Sequence, residues 1–301
     1  MSESPAKPDP AARAAQRASG LTCWSGKVEP EVLSGGLTNH NFVVRDRGEA
    51  FVVRIADDIP LHGIMRFNEL ASSRAAYAAG VSPEIVHAES GALVMRFIEG
   101  TTYGEAEVRA ALGAGRIVPL LKRVHREIPK HFEGPALIFW VFQVVRGYAR
   151  TLRAGNSRMT GELPRFLEIN AALEAALGPV EIIFGHNDLL AANFIDDGKR
   201  LWLVDWDYGG FNCPLFDLAN LASNNQFSAA EEDSLLEDYF ETPASDELRH
   251  KLSAMKCASL LRESMWSMVS EVHLDIEVDY VAYTAENLAR FERAYADFRA
   301  W

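Results

Sequence analysis

Three polar residues in one short stretch are the types and the spacing that phosphate chemistry needs. An apolar run ends in Phe184-Gly185-His186-Asn187-Asp188 and continues through Leu189-Leu190-Ala191-Ala192 to Asn193. A second apolar run, Leu201-Trp202-Leu203-Val204, ends in Asp205-Trp206-Asp207-Tyr208. Moving a phosphoryl group onto a hydroxyl takes a carboxylate that orients the hydroxyl and accepts its proton. It also takes hard oxygen ligands for Mg²⁺, which prefers few protein ligands together with phosphates. Asp188 suits the catalytic role, and Asn193 and Asp205 suit the metal. The short hairpin between them brings the metal pair together. His186 is expected to hydrogen-bond the loop backbone.

The elements around these residues divide into two parts. Between residues 28 and 97 short β-branched and aromatic runs alternate with Gly-containing turns, which predicts a meander of about five strands. The strands fall near 28–33, 41–45, 51–55, 84–87 and 92–97. One helix is expected over 64–79, with Phe67, Leu70, Ala71 and Tyr77 as its apolar face and Gly80 as its stop. Beyond residue 100 helical patterns dominate, near 105–127, 139–153, 163–177, 229–240, 246–271 and 279–298. One β-rich island, 182–204, interrupts them. The expected class is α+β: a small β-rich lobe over 1–99, beginning with an Ala-rich, partly ordered arm over 1–20, and a larger helical lobe over 100–301.

Composition narrows the function. The 301 residues carry 30 basic against 42 acidic side chains, a formal net charge of −12. A nucleic-acid partner is disfavoured, since no basic patch runs along the chain. Membrane insertion is not expected, because no apolar run approaches the ~20 residues of a span. The longest such run, 136–145, reads as a buried helix. Cys23, Cys213 and Cys257 are odd in number and far apart, which predicts buried free thiols in the reducing cytoplasm. The acidity suits a handler of cations, and a homodimer is left open.

The pattern His186-x-Asp188-x-x-x-x-Asn193, followed by Asp205 after a strand, resembles the choline/ethanolamine kinase family within the aminoglycoside phosphotransferase superfamily. The resemblance extends over nearly the whole chain after about residue 20. The stretches Asp205-Trp206-Asp207-Tyr208 and Phe216-Asp217-Leu218-Ala219 are similar to the choline-kinase branch. The resemblance implies a protein-kinase-like two-lobed fold, ATP as co-substrate, Mg²⁺, and a small cationic alcohol as acceptor. It also implies a structural role for Asp217, bracing the catalytic loop.

Nucleotide-binding residues follow from the same resemblance. Ser34-Gly35-Gly36-Leu37-Thr38-Asn39 lies where kinases fold a loop over phosphates, and glycines there let the backbone approach closely. Arg54 stands where protein kinases place a phosphate-anchoring Lys, with Glu69 on the next helix as its partner. Met95, Phe97 and Ile98 fall at the hinge that holds adenine. For the acceptor, Trp266 and Tyr208 match aromatic residues of a choline pocket, which attract a cation through their faces. Asp207 would add negative charge, with Tyr280 and Tyr283 nearby. Familiar choline kinases carry a second Trp where this chain has Glu263, which favours a primary amine, as in ethanolamine, or a larger polar cation. The alternatives are an aminoglycoside, thiamine or other small-alcohol phosphotransferase, or a nucleotide-binding pseudokinase.

Overall fold

Side-chain alternation builds the N-terminal sheet. In the computed structural model, which describes residues 9–33, 39–274 and 278–301, five antiparallel strands lie in the order β1-β2-β3-β5-β4. They are β1 (Glu31–Leu33), β2 (His40–Asp46), β3 (Glu49–Ile55), β4 (Ile85–Glu89) and β5 (Ala92–Arg96). The β2–β3 turn has two central residues, Arg47 (φ 51°) and Gly48 (φ 80°). A paired left-handed turn matches the twist of the strands it joins. On β3, Phe51, Val53 and Ile55 face one core. The period of two therefore turns Val52 and Arg54 to the opposite face.

The expected arm is instead a helix, α1 (Pro10–Ser19), capped by Asp9 Oδ1 accepting from Ala11 N at 3.1 Å. Ala14 and Ala18 bury against Phe42, Val53 and Val94. Alanine side chains give little periodic signal, which hid this helix. Cys23 follows it and is exposed, contrary to the expectation of three buried thiols; Cys213 and Cys257 are buried, and all three are free.

Helix α2 (Arg66–Ala78) turns its polar side inward. The expected apolar face carries Phe67 and Tyr77, which are about half exposed at 47% and 48%. Asn68, Glu69, Ser72, Ser73, Ala75 and Ala76 are buried instead. The cause is hydrogen bonding: Asn68 Nδ2 donates to Gly209 O at 2.7 Å, and Glu69 accepts from Arg54. Buried polar groups with partners override the amphipathic pattern here.

Beyond β6 (Thr101–Thr102) lie α3 (Glu105–Gly113), α4 (Ile117–His131), α5 (Val141–Ala154) and α6 (Leu163–Leu177). The single helix expected over 105–127 is two, divided at Gly115 with φ 70°. The apolar run 136–145 becomes helical only from Val141; before it, Ile138 is exposed and bridges Phe211. Strands β7 (Ile183–Gly185), β8 (Phe194–Asp196), β9 (Leu201–Leu203) and β10 (Gly210–Asn212) follow. They form the pair β7–β10 and the sheet β6-β8-β9. Helices α7 (Pro214–Asn224), α8 (Ala229–Phe240), α9 (Asp246–His273) and α10 (Tyr280–Arg299) complete the chain. Every residue of α7 from Pro214 to Ser223 is buried, so it has no polar face to mark it as a helix in the sequence. The larger apolar core runs through α4, α5, α6, α7 and α9. No helix among the described residues is long and apolar enough to cross a membrane.

Candidate active site

The loop after β7 is held by buried polar bonds. Asp217, at the start of α7, accepts from the backbone N–H groups of His186 and Asn187, each at 2.8 Å. His125 Nε2 on α4 donates to the same carboxylate at 2.9 Å. Burial works against the Asp217 charge, but His125 and the two amides hold its pKa below the ordinary carboxylate range. His186 donates from Nε2 to Val204 O at 3.0 Å, and its Nδ1 accepts from Asp188 N at 3.3 Å. Its ring packs 4.6 Å from that of Trp206.

Two non-glycine residues beside the site hold left-handed backbones, Asn187 (φ 67°) and Asp205 (φ 71°). Such backbones persist only where surroundings over-determine them. Asn187 Nδ2 donates to Tyr208 O at 2.9 Å and Gly210 O at 3.2 Å, and its Oδ1 accepts from Asn212 at 3.0 Å. The sequence drew no attention to Asn187, which ties the catalytic loop to the segment carrying Asp205.

Asn193 Nδ2 donates to Asp188 O at 2.8 Å, and Asn193 O accepts from Val204 N at 3.0 Å. Both Asn193 and Asp205 line one cleft of about 290 Å³. Val52, Met95, Phe97, Ile98 and Ile195 give it apolar walls, and Arg54 lies at its polar end. A flat apolar slot ending in cation and carboxylate suits a purine base followed by phosphates. No cluster of three His, Cys, Asp or Glu among the described residues could hold a metal alone. Asn193 and Asp205 are an oxygen donor pair that fits Mg²⁺ once phosphate oxygens complete its shell.

Arg54 is 7% exposed and meets three carboxylates through one nitrogen. Its Nη1 lies 2.7 Å from Glu69, 2.8 Å from Asp205 and 3.1 Å from Asp207. Arg66, which sequence reasoning missed, lies 2.5 Å from Glu69 and 2.9 Å from Asp207. Burial raises the Glu69 pKa against the pull of the arginines, whereas Arg54 overcomes burial and holds Asp205 low. Asp207, expected beside an acceptor cation, is placed in this network and also accepts from Asn39 Nδ2 at 3.0 Å. Asn39 thus lies on Asp207; Ser34, Gly35, Gly36 and Thr38 lie outside the described residues.

Burial raises the Asp188 pKa to about 8, partly offset by the Arg262 charge and reinforced by Glu263, Asp205 and Asp207. A base with its pKa near the working pH is suited to proton transfer. Arg262, on α9, is the third residue sequence reasoning passed over. Its guanidinium carbon lies 4.4 Å from the Tyr208 ring centroid, and its Nη1 donates to Glu263 at 2.8 Å. Glu263 also accepts from Tyr283 OH at 2.8 Å.

Trp266 does not present an open aromatic face. It is 6% exposed, with the His62 ring 5.0 Å away at an interplanar angle of 30°. Tyr280 and Tyr283 meet it edgewise at 6.2 and 6.3 Å. Trp266, Tyr280, Tyr283 and Glu263 therefore come together, while Tyr208 packs against the Arg262 guanidinium.

A carboxylate in a braced loop, an oxygen pair for a hard cation and a buried arginine at the end of a purine-sized slot are the parts that phosphoryl transfer needs. The model of the phosphotransferase enzyme family matches residues 29–253, and the chain belongs to that family. The protein LicA of Haemophilus influenzae is 29% identical over 262 residues, covering 81% of this chain and 94% of that one. A probable ethanolamine kinase of Arabidopsis thaliana is 25% identical over 289 residues, covering 84% and 76%. The crystal structure of a choline/ethanolamine kinase family protein from Mesorhizobium loti matches with a TM-score of 0.75 at 27% identity, covering 96% and 99%. The chain is an enzyme that phosphorylates an alcohol group.

Proposed function

We propose that the protein transfers the γ-phosphoryl group of ATP, with Mg²⁺, to the hydroxyl of a small cationic amino alcohol of the choline or ethanolamine class. The observation that supports this reading is the bond from Asn193 to Asp188 O together with the purine-sized cleft that Asn193 and Asp205 line. The named relatives support the acceptor class, and Glu263 offers it a carboxylate.

Asp188 orients the acceptor hydroxyl and takes its proton as the oxygen bonds to the γ-phosphorus and the bond to the β-phosphate oxygen breaks, releasing ADP. Asn193 and Asp205 would hold Mg²⁺, which supplies positive charge to the phosphate oxygens as that bond breaks. Arg54 reaches the same polar end of the cleft, where it neutralises charge on the phosphates. The apolar walls exclude water, which limits transfer of the phosphoryl group to solvent.

The test is ADP release from ATP with ethanolamine, choline and related alcohols, with and without Mg²⁺. Asp188→Asn should lower kcat by about 100-fold or more, the range for a general base, with nucleotide affinity nearly unchanged. Near-wild-type turnover in that variant would remove Asp188 from its role.

A further inference from the structure

Arg262 is the best-buried cation of the acceptor side, and its hydrogen-bonding capacity is only partly used. It is 3% exposed, and its Nε and Nη2 have no hydrogen-bond partner among the described residues. A guanidinium carries five N–H donors in a fixed plane. Leaving charged donors buried and unpaired is costly, and native proteins rarely do so without a ligand or water.

The surroundings fix where those donors sit. The Tyr208 ring lies 4.4 Å from the guanidinium carbon and the Phe139 ring 5.5 Å, so aromatic surfaces brace it. Tyr208 O in turn holds Asn187, the neighbour of Asp188, which places the arginine beside the catalytic loop. The Tyr148 hydroxyl, 3.0 Å from His62 Nδ1, feels the Arg262 charge and also takes a hydrogen bond from that guanidinium, while Nε and Nη2 stay without a partner. One turn along α9, on the same helix face, Trp266 Nε1 is a second buried donor without a partner among the described residues.

The Arg262 charge reaches Asp188, so its unpaired donors lie near the carboxylate proposed to receive the acceptor hydroxyl. A trimethylammonium or a bare amine has nothing to accept from them. A carboxylate does, and its two oxygens match a guanidinium edge. On the reading above of an amino-alcohol kinase, we propose that the preferred acceptor is zwitterionic. Its carboxylate binds Arg262 and its ammonium binds Glu263, which is the chemistry of a small hydroxy amino acid. Arg262 is then a specificity-determining residue, and the Glu263–Tyr283 bond holds the carboxylate that faces the ammonium.

The experiment compares wild type, Arg262→Gln and Arg262→Lys with ethanolamine, choline, serine and homoserine, reading ADP release and the phosphorylated product by phosphorus NMR. The wild type should use a carboxylated acceptor with a KM at least about tenfold below that of ethanolamine, and Arg262→Gln should erase that advantage while leaving the KM for ATP unchanged. Arg262→Lys, which keeps charge but loses the fork, should fall between. Calorimetric titration of the wild type with serine against ethanolamine gives the same answer should the glutamine variant fail to fold. Equal use of ethanolamine and hydroxy amino acids by the wild type, or a carboxylated-acceptor advantage in KM that survives intact in Arg262→Gln, overturns the proposal and leaves the kinase reading standing. Absence of ADP release with every alcohol overturns both.

Discussion

Replacing Asp217 by Asn changes one oxygen to an amide nitrogen in a side chain with no exposed surface. The carboxylate accepts three donors: Asn187 N on Oδ1, and His186 N with His125 Nε2 on Oδ2. An asparagine has a single acceptor oxygen, so whichever way it sits, its amide faces at least one N–H. The kinder orientation loses the Asn187 bond and sets two donors against each other. The remaining bonds lose their charge. A hydrogen bond to a charged group contributes about 1.5–3 kcal/mol, and an orphaned donor costs about 1–3 kcal/mol. The variant should therefore lose roughly 3 kcal/mol of stability by urea denaturation at pH 7. Its turnover should fall as well, because the two amides that Asp217 holds belong to the residues immediately before Asp188. The gap has a definite pH dependence. The folded pKa of Asp217 is depressed, so its contribution is present above the unfolded value near 3.8 and is lost as pH falls through the folded value. A stability difference below about 0.5 kcal/mol at pH 7 would refute the brace.

Three further outcomes are expected. Asp205→Ala should weaken Mg-dependent nucleotide binding in calorimetry and leave Arg54 with two carboxylates, whereas unchanged Mg-ATP affinity would take Asp205 out of the metal pair. His62 is held neutral by burial and by the Arg262 and His273 charges, with its pKa lowered from 6.5 to about 3. Stability from this neutral ring is complete above 6.5 and drains as pH falls toward 3, because the unfolded chain takes the proton first. The wild-type advantage over His62→Gln should accordingly shrink by about 2–3 kcal/mol between pH 7 and pH 4.5, and a constant difference would contradict it. Gly100→Ala would put a methyl 2.5 Å from Asp196 O, forcing β6 from β8. A loss of about 1–3 kcal/mol in thermal unfolding and a raised KM for ATP are expected, while an unchanged melting temperature would show that the backbone yields freely.

The parts of the fold that sequence exposed are those where one period dominates. Strand β2 and the first part of β3 alternate, and the β2–β3 and β4–β5 turns carry Gly48 and Gly91. The loop from His186 to Asn193 stood out because its polar residues sit at fixed offsets between apolar runs. What stayed hidden has polar or small residues doing buried work. The inward face of α2 is polar because it serves Arg54 and Gly209, so its periodicity pointed the wrong way. Arg66 and Arg262 are single arginines on helices, and nothing local distinguishes them from solvated ones. Only tertiary packing brings Arg66 to Asp207, and Arg262 to the Tyr208 ring. Trp266 was legible as an aromatic on the acceptor side, but the His62 ring against it comes from a segment 204 positions away.

The three arginines of the site divide one electrostatic task. Glu69, Asp205 and Asp207 bring three carboxylates to the inner end of the cleft, and Arg54 and Arg66 bring two guanidinium groups. Fully ionised, that set is one unit negative, a balance that favours a divalent cation over another arginine beside the phosphates. Arg262 stands apart from this set, over Tyr208, and acts on Asp188. Burial alone would push the Asp188 proton affinity still higher, and the Arg262 charge pulls it back to about 8. An acceptor carboxylate bound at Arg262, as proposed above, would offset that pull and shift Asp188 further toward its protonated form. The same arginine is therefore placed to act through its charge both on the proposed acceptor carboxylate and on Asp188.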